Sequence, residues 1–329
     1  MPRYSQYPGR RVSSRAQTVT APGEVFVRVP AKINLALHVG PLRRDGYHEL
    51  ATVFHAVSLY DDVSARPADG ITIEVTGAAG GVPVGAQNLA VRAARLLAEH
   101  TGVPDGVHLR VTKRIPVAGG LAGGSADAAA ALVACDALWR TGLAREELRE
   151  VAAGLGSDVP FLLLGGTAVG TGRGERLTPA LARGEYHWVL ACSSDGLSTP
   201  AVYAECDRLR AARVVAAPRV AAETMQALRT GDPEALGRCL TNDLQPAATA
   251  LRPDLARTMA VGLAEGALGA VVSGSGPTVV FLVRDSEAAL DLSVALSASG
   301  TASRVDRVTG PVPGARLVEP VAHRGDGRV

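Results

Sequence analysis

The stretch from Lys113 to Asp127 reads KRIPVAGGLAGGSAD and decides the fold of this chain. It follows residues 106–113, where apolar and polar side chains alternate as in a β-strand. An alanine-rich run over 125–140 follows it and predicts a buried helix that ends near Gly142. The four glycines of the stretch let backbone N–H groups turn inward, and the helix adds its positive N-terminal end. We therefore predict a loop suited to an anion such as a polyphosphate.

Glycines alone would also fit a flexible turn before a helix, so the residues around them matter. Pro116 stiffens the entry to the loop, and the small side chains of 128–131 let the helix approach its neighbours closely. A Walker A loop is excluded, because neither lysine of the chain follows a glycine. A dinucleotide-binding G-x-G-x-x-G turn is not found after a strand either. The loop predicts another mode of nucleotide binding.

The rest of the first half alternates between strand and helix patterns. Residues 24–39 alternate apolar and polar positions and predict a pair of strands broken at Pro30. Further strands are expected over 51–65 and 71–76. A helix is expected over 89–100, with Asn88 as its N-terminal cap and Gly102 as its end. These elements predict an α+β first half.

The second half has a different pattern, which predicts two strand-helix-strand units on an antiparallel sheet. We expect three helical stretches between Pro200 and Glu265 and a further helix from Glu287. The predicted strands lie at 188–192, 267–273, 278–283 and 303–308. This order suggests a ferredoxin-like domain.

Composition limits the class of protein. The chain has 329 residues, of which 47% are hydrophobic and 20% charged, as in a globular protein of two domains. Its net charge of +2 gives no basic field for nucleic acid, and no apolar run is long enough to span a membrane. The four cysteines are far apart and form no C-x-x-C pair, which favours reduced thiols in the cytoplasm. We expect a cytoplasmic protein.

Three motifs together resemble those of the GHMP kinases (galactokinase, homoserine, mevalonate and phosphomevalonate kinases). They are PAKINL at 30–35, P-x-x-x-G-L-x-G-G-S at 116–125 and VSGSGPT at 272–278. The resemblance implies an α+β fold of two domains, an N-terminal α/β domain with the phosphate loop and a C-terminal ferredoxin-like domain. The implied division is a basic tail at 1–23, the two domains at 24–178 and 179–320, and a frayed tail at 321–329.

Three further segments are similar to one branch of this family. They read R-x-D-G-Y-H-E-L at 43–50, G-S-D-V-P-F at 156–161 and N-D-L at 242–244. That branch phosphorylates a small cytidylated alcohol with ATP in the non-mevalonate route to isoprenoids, and it needs no nucleic acid or membrane partner. Two alternatives stay open: a mevalonate-, homoserine- or sugar-kinase-like enzyme, and a non-catalytic ligand sensor with the same fold.

The resemblance gives Lys32 and Asp158 catalytic roles. Asp158 would accept the proton of the substrate hydroxyl as its oxygen attacks the γ-phosphate of ATP, and Lys32 would lower the pKa of that hydroxyl and orient the carboxylate. By its sequence alone, an Asp after Gly-Ser is more often a helix cap, and a strand lysine is often solvated. The family motifs favour the catalytic interpretation.

The resemblance also implies a set of residues that bind ATP and Mg²⁺. Ser125 is the hydroxyl best placed for a phosphate or for the metal, and no other metal ligand is assignable. Ala126 stands where the family usually has a second Ser, and Ala122 replaces a common Gly. The implied nucleotide-binding residues are Lys113, Pro116, Val117, Ala118, Gly119, Gly120, Leu121, Ala122, Gly123, Gly124, Ser125 and Ala126.

Four residues are implied to bind the cytidylated substrate. Asn34 lies two positions after Lys32 and so on the same face of the strand. Tyr47 would stack on the cytosine ring and His48 would read its edge, while Tyr203 would form the second aromatic wall. Without the resemblance, a Tyr-His pair before an apolar strand is more often a junction between a loop and the core.

Overall fold

The computed structural model describes residues 23–78, 80–103 and 106–319. The predictions for the two terminal tails therefore lie, except for Gly23, outside the described residues. In the described part of the chain, no helix is long and apolar enough to cross a membrane.

The first half of the described chain builds one sheet and covers it with helices. In chain order, its elements are β1 (Val25–Leu42), β2 (His48–Arg66), β3 (Ile71–Gly77), α1 (Leu89–Thr101), β4 (Val107–Lys113), α2 (Gly123–Trp139), α3 (Arg145–Ala153), α4 (Val159–Leu164), β5 (Thr167–Gly172) and β6 (Arg176–Pro179). The main path of the sheet runs β1-β2-β4-β3, and β5 and β6 extend it from β2. The cap of α1 is as predicted: Asn88 accepts a hydrogen bond from the N–H of Ala90, and Gly102 ends the helix in the left-handed conformation.

The predicted break at Pro30 is wrong. The strand β1 runs through this position without interruption and pairs with β2 along its length. The register shifts between Pro30 and Ala31, which marks a bulge. A proline cannot donate to the ladder of a sheet but is tolerated at a bulge. The strand therefore bends at Pro30 and continues to Lys32.

The second half forms an antiparallel sheet of the predicted ferredoxin-like type. Its described elements are β7 (Tyr186–Cys192), α5 (Thr199–Arg210), α6 (Ala222–Thr230), α7 (Pro233–Cys239), β8 (Thr241–Asn242), α8 (Gln245–Leu251), α9 (Asp254–Ala264), β9 (Gly269–Val272), β10 (Val279–Val283), α10 (Ser286–Ser299), β11 (Arg304–Gly310) and β12 (Arg316–Leu317). The order β11-β7-β10-β9 is that of a split βαβ unit. Five described helices, not the predicted three, lie between β7 and β9, because α6, α7 and α8 are too short for a clear period.

Two short strands connect the halves. The strand β8 pairs with β1 in parallel, and β12 pairs with β1 in the antiparallel direction. Segments from the second half therefore complete the first sheet. An apolar cluster around the buried helix α2 also includes Trp188 and Leu190 of β7. The division of the chain into 24–178 and 179–320 stays a prediction.

Candidate active site

Lys32 lies on β1 with its ammonium enclosed by protein. Its side chain is 5% exposed, and Nζ donates a hydrogen bond of 2.7 Å to Oδ1 of Asn34. The ring of Phe54 lies beneath the ammonium, with its centroid 5.5 Å from Nζ. A buried ammonium is costly unless it is paired, and one carboxylate supplies the pairing charge. Oδ2 of Asp158 lies 3.8 Å from Nζ.

Asp158 lies at the start of α4, where an aspartate could cap the helix instead of taking part in the chemistry. Its side chain makes no capping hydrogen bond to that helix in the described structure, and it is 32% exposed. The carboxylate is therefore held by the charge of Lys32 and keeps lone pairs for a ligand. This geometry favours a chemical role for Asp158 over a capping role.

The glycine-rich loop has the backbone form expected of an anion site. Ala118, Gly120 and Ala122 have positive φ angles of 52°, 78° and 60°, at every second position. Left-handed residues alternating in this way turn successive N–H groups toward one side and form a concave anion site. The 17-residue helix α2 begins directly after Ala122 and adds its positive end. The loop is bonded to β1, because the N–H of Lys32 donates to the carbonyl of Leu121.

A buried cluster of charged side chains is bonded to the start of α2, next to the glycine-rich loop. Nζ of Lys113 lies 2.5 Å from Oδ2 of Asp61 and 2.8 Å from Oδ2 of Asp127, and it donates to the carbonyl of Gly123. The three charged side chains are at most 5% exposed. Burial raises the pKa of the Asp127 carboxyl above its usual range. The Lys113 side chain is thus engaged inside the protein rather than directed at a ligand, and it supports the loop.

The VSGSGPT turn of the second half closes over the same loop. Oγ of Ser273 donates to the carbonyl of Gly120, and the N–H of Thr278 donates to the carbonyl of Gly119. A side chain on Gly120 would collide with the carbonyl of Ser273, which explains the glycine at this position. The Asn242 side chain donates to the carbonyls of Val272 and Gly274, so the N-D-L motif fixes the turn.

The predicted base-binding residues lie around the start of β2 and the helix α5. The rings of His48 and Tyr203 stack with centroids 5.2 Å apart. Burial, together with the charge of Asp158, raises the pKa of Tyr203, so Tyr203 is near the Asp158 carboxylate. Tyr47 is 53% exposed, and the guanidinium of Arg173 lies 4.9 Å from its ring centroid. The structure thus brings His48 and Tyr203 together and leaves Tyr47 at the surface.

Asn34 has both ends of its amide bonded to protein. Its oxygen accepts from Lys32, and its Nδ2 donates to Oγ1 of Thr52, which in turn donates to the carbonyl of Ala36. This chain of hydrogen bonds fixes Asn34 as an orienting group for Lys32. Thr52, Asp61 and Asp127 also support the site, although no sequence motif indicates them. The one local signal was for Asp127, an acid near the start of an alanine-rich helix, while Asp61 stands next to Asp62 in a strand with several polar residues.

The described residues contain no group of three or more His, Cys, Asp or Glu side chains that could hold a metal ion. Mg²⁺ in nucleotide-dependent enzymes is bound by one or two carboxylates together with the phosphates, and it keeps several waters. Ser125, in the first turn of α2, therefore fits a metal that arrives with the nucleotide and takes its other ligands from the phosphates and from water.

Family models match both halves of the chain. A model described as GHMP kinases N terminal domain matches residues 88–166, and one described as GHMP kinases C terminal matches residues 224–302. The first match includes the glycine-rich loop and Asp158. The second includes the turn that closes over the loop.

Curated relatives match nearly the whole chain. The 4-diphosphocytidyl-2-C-methyl-D-erythritol kinase of Salinispora tropica is 57% identical over 300 residues, which cover 90% of this chain and 95% of that protein. The protein of the same name from Thermobifida fusca is 55% identical, covering 91% of this chain and all of the relative.

Solved structures share the fold. A crystal structure of 4-(cytidine 5'-diphospho)-2C-methyl-D-erythritol kinase superposes with a TM-score of 0.71 at 36% identity, covering 86% of this chain and 98% of that one. A homoserine kinase from Cytophaga hutchinsonii has the same TM-score at 20% identity, covering 90% and 98% of the two chains, and shows the fold alone.

Proposed function

The chain belongs to the 4-diphosphocytidyl-2-C-methyl-D-erythritol kinase family of GHMP kinases, and from this premise we propose how it acts on its substrate. It transfers the γ-phosphoryl group of ATP to the 2-hydroxyl of 4-diphosphocytidyl-2-C-methyl-D-erythritol and releases ADP. The observation that carries the proposal is the Lys32–Asp158 pair next to a glycine-rich loop in which every second residue from Ala118 to Ala122 is left-handed.

Asp158 accepts the proton of the substrate hydroxyl as the hydroxyl oxygen attacks the γ-phosphorus. Phosphoryl transfer needs mainly positioning and neutralisation of charge, so one held carboxylate and one ammonium are sufficient side-chain machinery. Lys32 stabilises the developing negative charge on the attacking oxygen and keeps the carboxylate in place. Asn34 supports this role, since its oxygen fixes the direction of the ammonium.

The backbone of Pro116–Ala126 binds the ATP phosphates. Alternating left-handed residues and the start of α2 support this assignment, and neither depends on the hydroxyl that Ala126 lacks. Mg²⁺ bound with ATP would neutralise charge on the phosphates, and Ser125 is the side chain that would hold it. Lys113 acts on the nucleotide only through the loop that it supports.

The cytosine base binds beside His48, between the rings of Tyr47 and Tyr203. The stack of His48 on Tyr203 supports this site, because it already forms one wall from an imidazole and a phenol. Exposed Tyr47 supplies the second wall when its ring closes over the base.

We also propose that the enzyme works in the cytoplasm. All four cysteines lie in the described part of the chain and are free thiols, and three of them are buried. Free thiols persist in reducing compartments.

Turnover of defined alcohols with Mg·ATP tests the function. Purified enzyme should release ADP with 4-diphosphocytidyl-2-C-methyl-D-erythritol and show at least a hundredfold lower kcat/KM, about 2.7 kcal/mol, with mevalonate or homoserine. Phosphorus NMR of the product should show a new phosphomonoester. Efficient turnover of mevalonate with none of the cytidylated alcohol would overturn the assignment.

A further inference from the structure

A carboxylate on α5 is bonded to the imidazole of the base site. Oδ1 of Asp207 lies 2.9 Å from Nε2 of His48. Asp207 follows Tyr203 by four positions, so both side chains lie on the same face of the helix. One helical face therefore presents a ring that stacks on His48 and a carboxylate that bonds to its edge.

The bond to Asp207 determines which nitrogen of His48 carries the proton. An ionised carboxylate only accepts hydrogen bonds, so Nε2 is the donor and bears the hydrogen. A neutral imidazole has one such hydrogen, and Nδ1 is then left with a lone pair and accepts. Among the described residues, Asp207 is the only hydrogen-bond partner of the His48 ring. Nδ1 has no partner among these residues.

An accepting Nδ1 discriminates between pyrimidines. Cytosine carries an amino group at C4, which donates, whereas uracil carries a carbonyl oxygen there, which accepts. A lone pair on Nδ1 would bond to the amine of cytosine and repel the oxygen of uracil. We propose that Asp207 is a specificity-determining positioning residue: it holds His48 in the accepting form and so selects cytidylated over uridylated substrate. This inference rests on the proposed function.

Asp207 is not needed to dock the helix. Val202 and Cys206 of α5 are buried, and Arg210 donates to the carbonyls of Val39 and Asp243. The Asp207 side chain is 49% exposed, so water can reach the carboxylate and its hydrogen bond to the imidazole contributes only modestly to stability. Replacing this carboxylate should therefore change the chemistry of His48 and leave α5 in place.

The substitution Asp207→Asn removes the group that can only accept. The amide can turn its Nδ2 toward Nε2 and donate, so the imidazole hydrogen is no longer fixed on Nε2 and can occupy Nδ1, where it faces the base. Nδ1 would then fit the uracil oxygen and leave the cytosine amine without an acceptor. We expect the ratio of kcat/KM for the cytidylated substrate to that for its uridylated counterpart to fall about tenfold to a hundredfold. The change should come mainly from KM of the cytidylated substrate.

The test measures that ratio for the parent enzyme, Asp207→Asn, Asp207→Ala and a control. The control is Glu205→Gln on the same helix, whose carboxylate pairs with Arg208 and not with His48; its ratio should equal that of the parent. The alanine variant should lose selectivity without gaining preference for uridine. The proposal would be overturned if kcat/KM fell by the same factor for both substrates in the asparagine and alanine variants. A purely structural role of Asp207 would lower both values equally.

Nitrogen-15 NMR of the imidazole gives a readout independent of turnover. The parent should show the hydrogen of His48 on Nε2, and Asp207→Asn should move it toward Nδ1. A parent protein with the hydrogen of His48 on Nδ1 would also overturn the proposal, because Nδ1 could not then accept from the base. Failure of the parent to phosphorylate the cytidylated substrate would refute the proposed function itself, while the NMR would still decide whether Asp207 controls His48.

Discussion

Nζ of Lys32 and Oδ2 of Asp158 lie 3.8 Å apart, although one residue comes from a strand and the other from the start of a helix in a distant segment. At this distance the two charges attract without a direct hydrogen bond. Asn34 takes the hydrogen bond of the ammonium instead, at 2.7 Å. The carboxylate therefore keeps its lone pairs for a proton from the substrate.

The substitution Asp158→Asn should lower kcat about 10²–10⁴-fold, because an amide cannot accept the proton of the attacking hydroxyl. The free energy of unfolding should also fall by about 1–3 kcal/mol, because the buried ammonium of Lys32 loses the carboxylate that pairs with it, although Asp158 itself is partly exposed. Steady-state kinetics and denaturant titration check both values. A kcat within a few-fold of the parent would show that Asp158 is not the proton acceptor.

The substitution Lys32→Arg should retain the charge and lose most of the activity. The ammonium is enclosed by Phe54 and Asn34, and a side chain on Gly274 would come within 3.4 Å of Nζ. A planar guanidinium is broader and needs other directions of hydrogen bonding. We expect kcat to fall at least about tenfold. Circular dichroism should show an unchanged fold, and full activity in the variant would contradict the need for a compact ammonium.

The substitution Lys113→Met should destabilise the protein by about 3–5 kcal/mol, because it leaves Asp61 and Asp127 buried without a cation. Arg110→Met is the matched control on the same strand. The Arg110 side chain is 53% exposed and pairs with Glu74, so its loss should cost at most about 1 kcal/mol. Urea unfolding of both variants checks the difference, and equal losses would show that the buried cluster does not support the loop.

The sequence predicted the elements that have strong local signals. Asn88 and Gly102 mark the ends of α1 because a cap and a left-handed glycine are local requirements. Pro30 misled the prediction, since a proline signals a break locally and only the pairing with β2 turns it into a bulge. The strand β12 has two residues and exists only through its pairing with β1, so no local period could indicate it.

The same limit applies to the site. The motifs indicate candidate residues for it, because each motif is continuous in sequence. They did not predict that Lys113 faces Asp61 and Asp127, since those contacts join a strand end, a second strand and a helix. Nor did they predict Asp207 beside His48, which depends on how α5 docks onto the first sheet.

The substitution Ala122→Gly should stabilise the protein by about 0.5–1 kcal/mol, because Ala122 has a φ of 60°, which strains an L-residue with a Cβ atom. Ala130→Gly is the control in the middle of α2, where the glycine should instead destabilise by about 1 kcal/mol or more. Thermal unfolding should give opposite signs for the two variants. A destabilised Ala122→Gly protein would mean that the left-handed conformation is not strained.

His55 is a buried imidazole at the contact between the two sheets. Nδ1 lies 2.8 Å from Oγ1 of Thr167, and the rings of Tyr186 and Trp188 from β7 meet it edge-on. Burial lowers the pKa of His55 from 6.5 to about 3. The folded protein therefore keeps this residue neutral at pH values where the unfolded chain protonates it.

Stability should consequently fall as the pH drops from about 6.5 toward 3, because the unfolded state then binds one more proton than the folded state. For His55 alone, the loss between pH 7.5 and pH 5 should be about 2 kcal/mol. The variant His55→Gln lacks this titration, so its stability deficit relative to the parent should shrink by that amount at pH 5. His100→Gln, at the exposed end of α1, replaces a histidine that the protein does not enclose and is the matched control. If denaturant titrations gave the same pH slope for His55→Gln and the parent, His55 would not be the group that is buried in its neutral form.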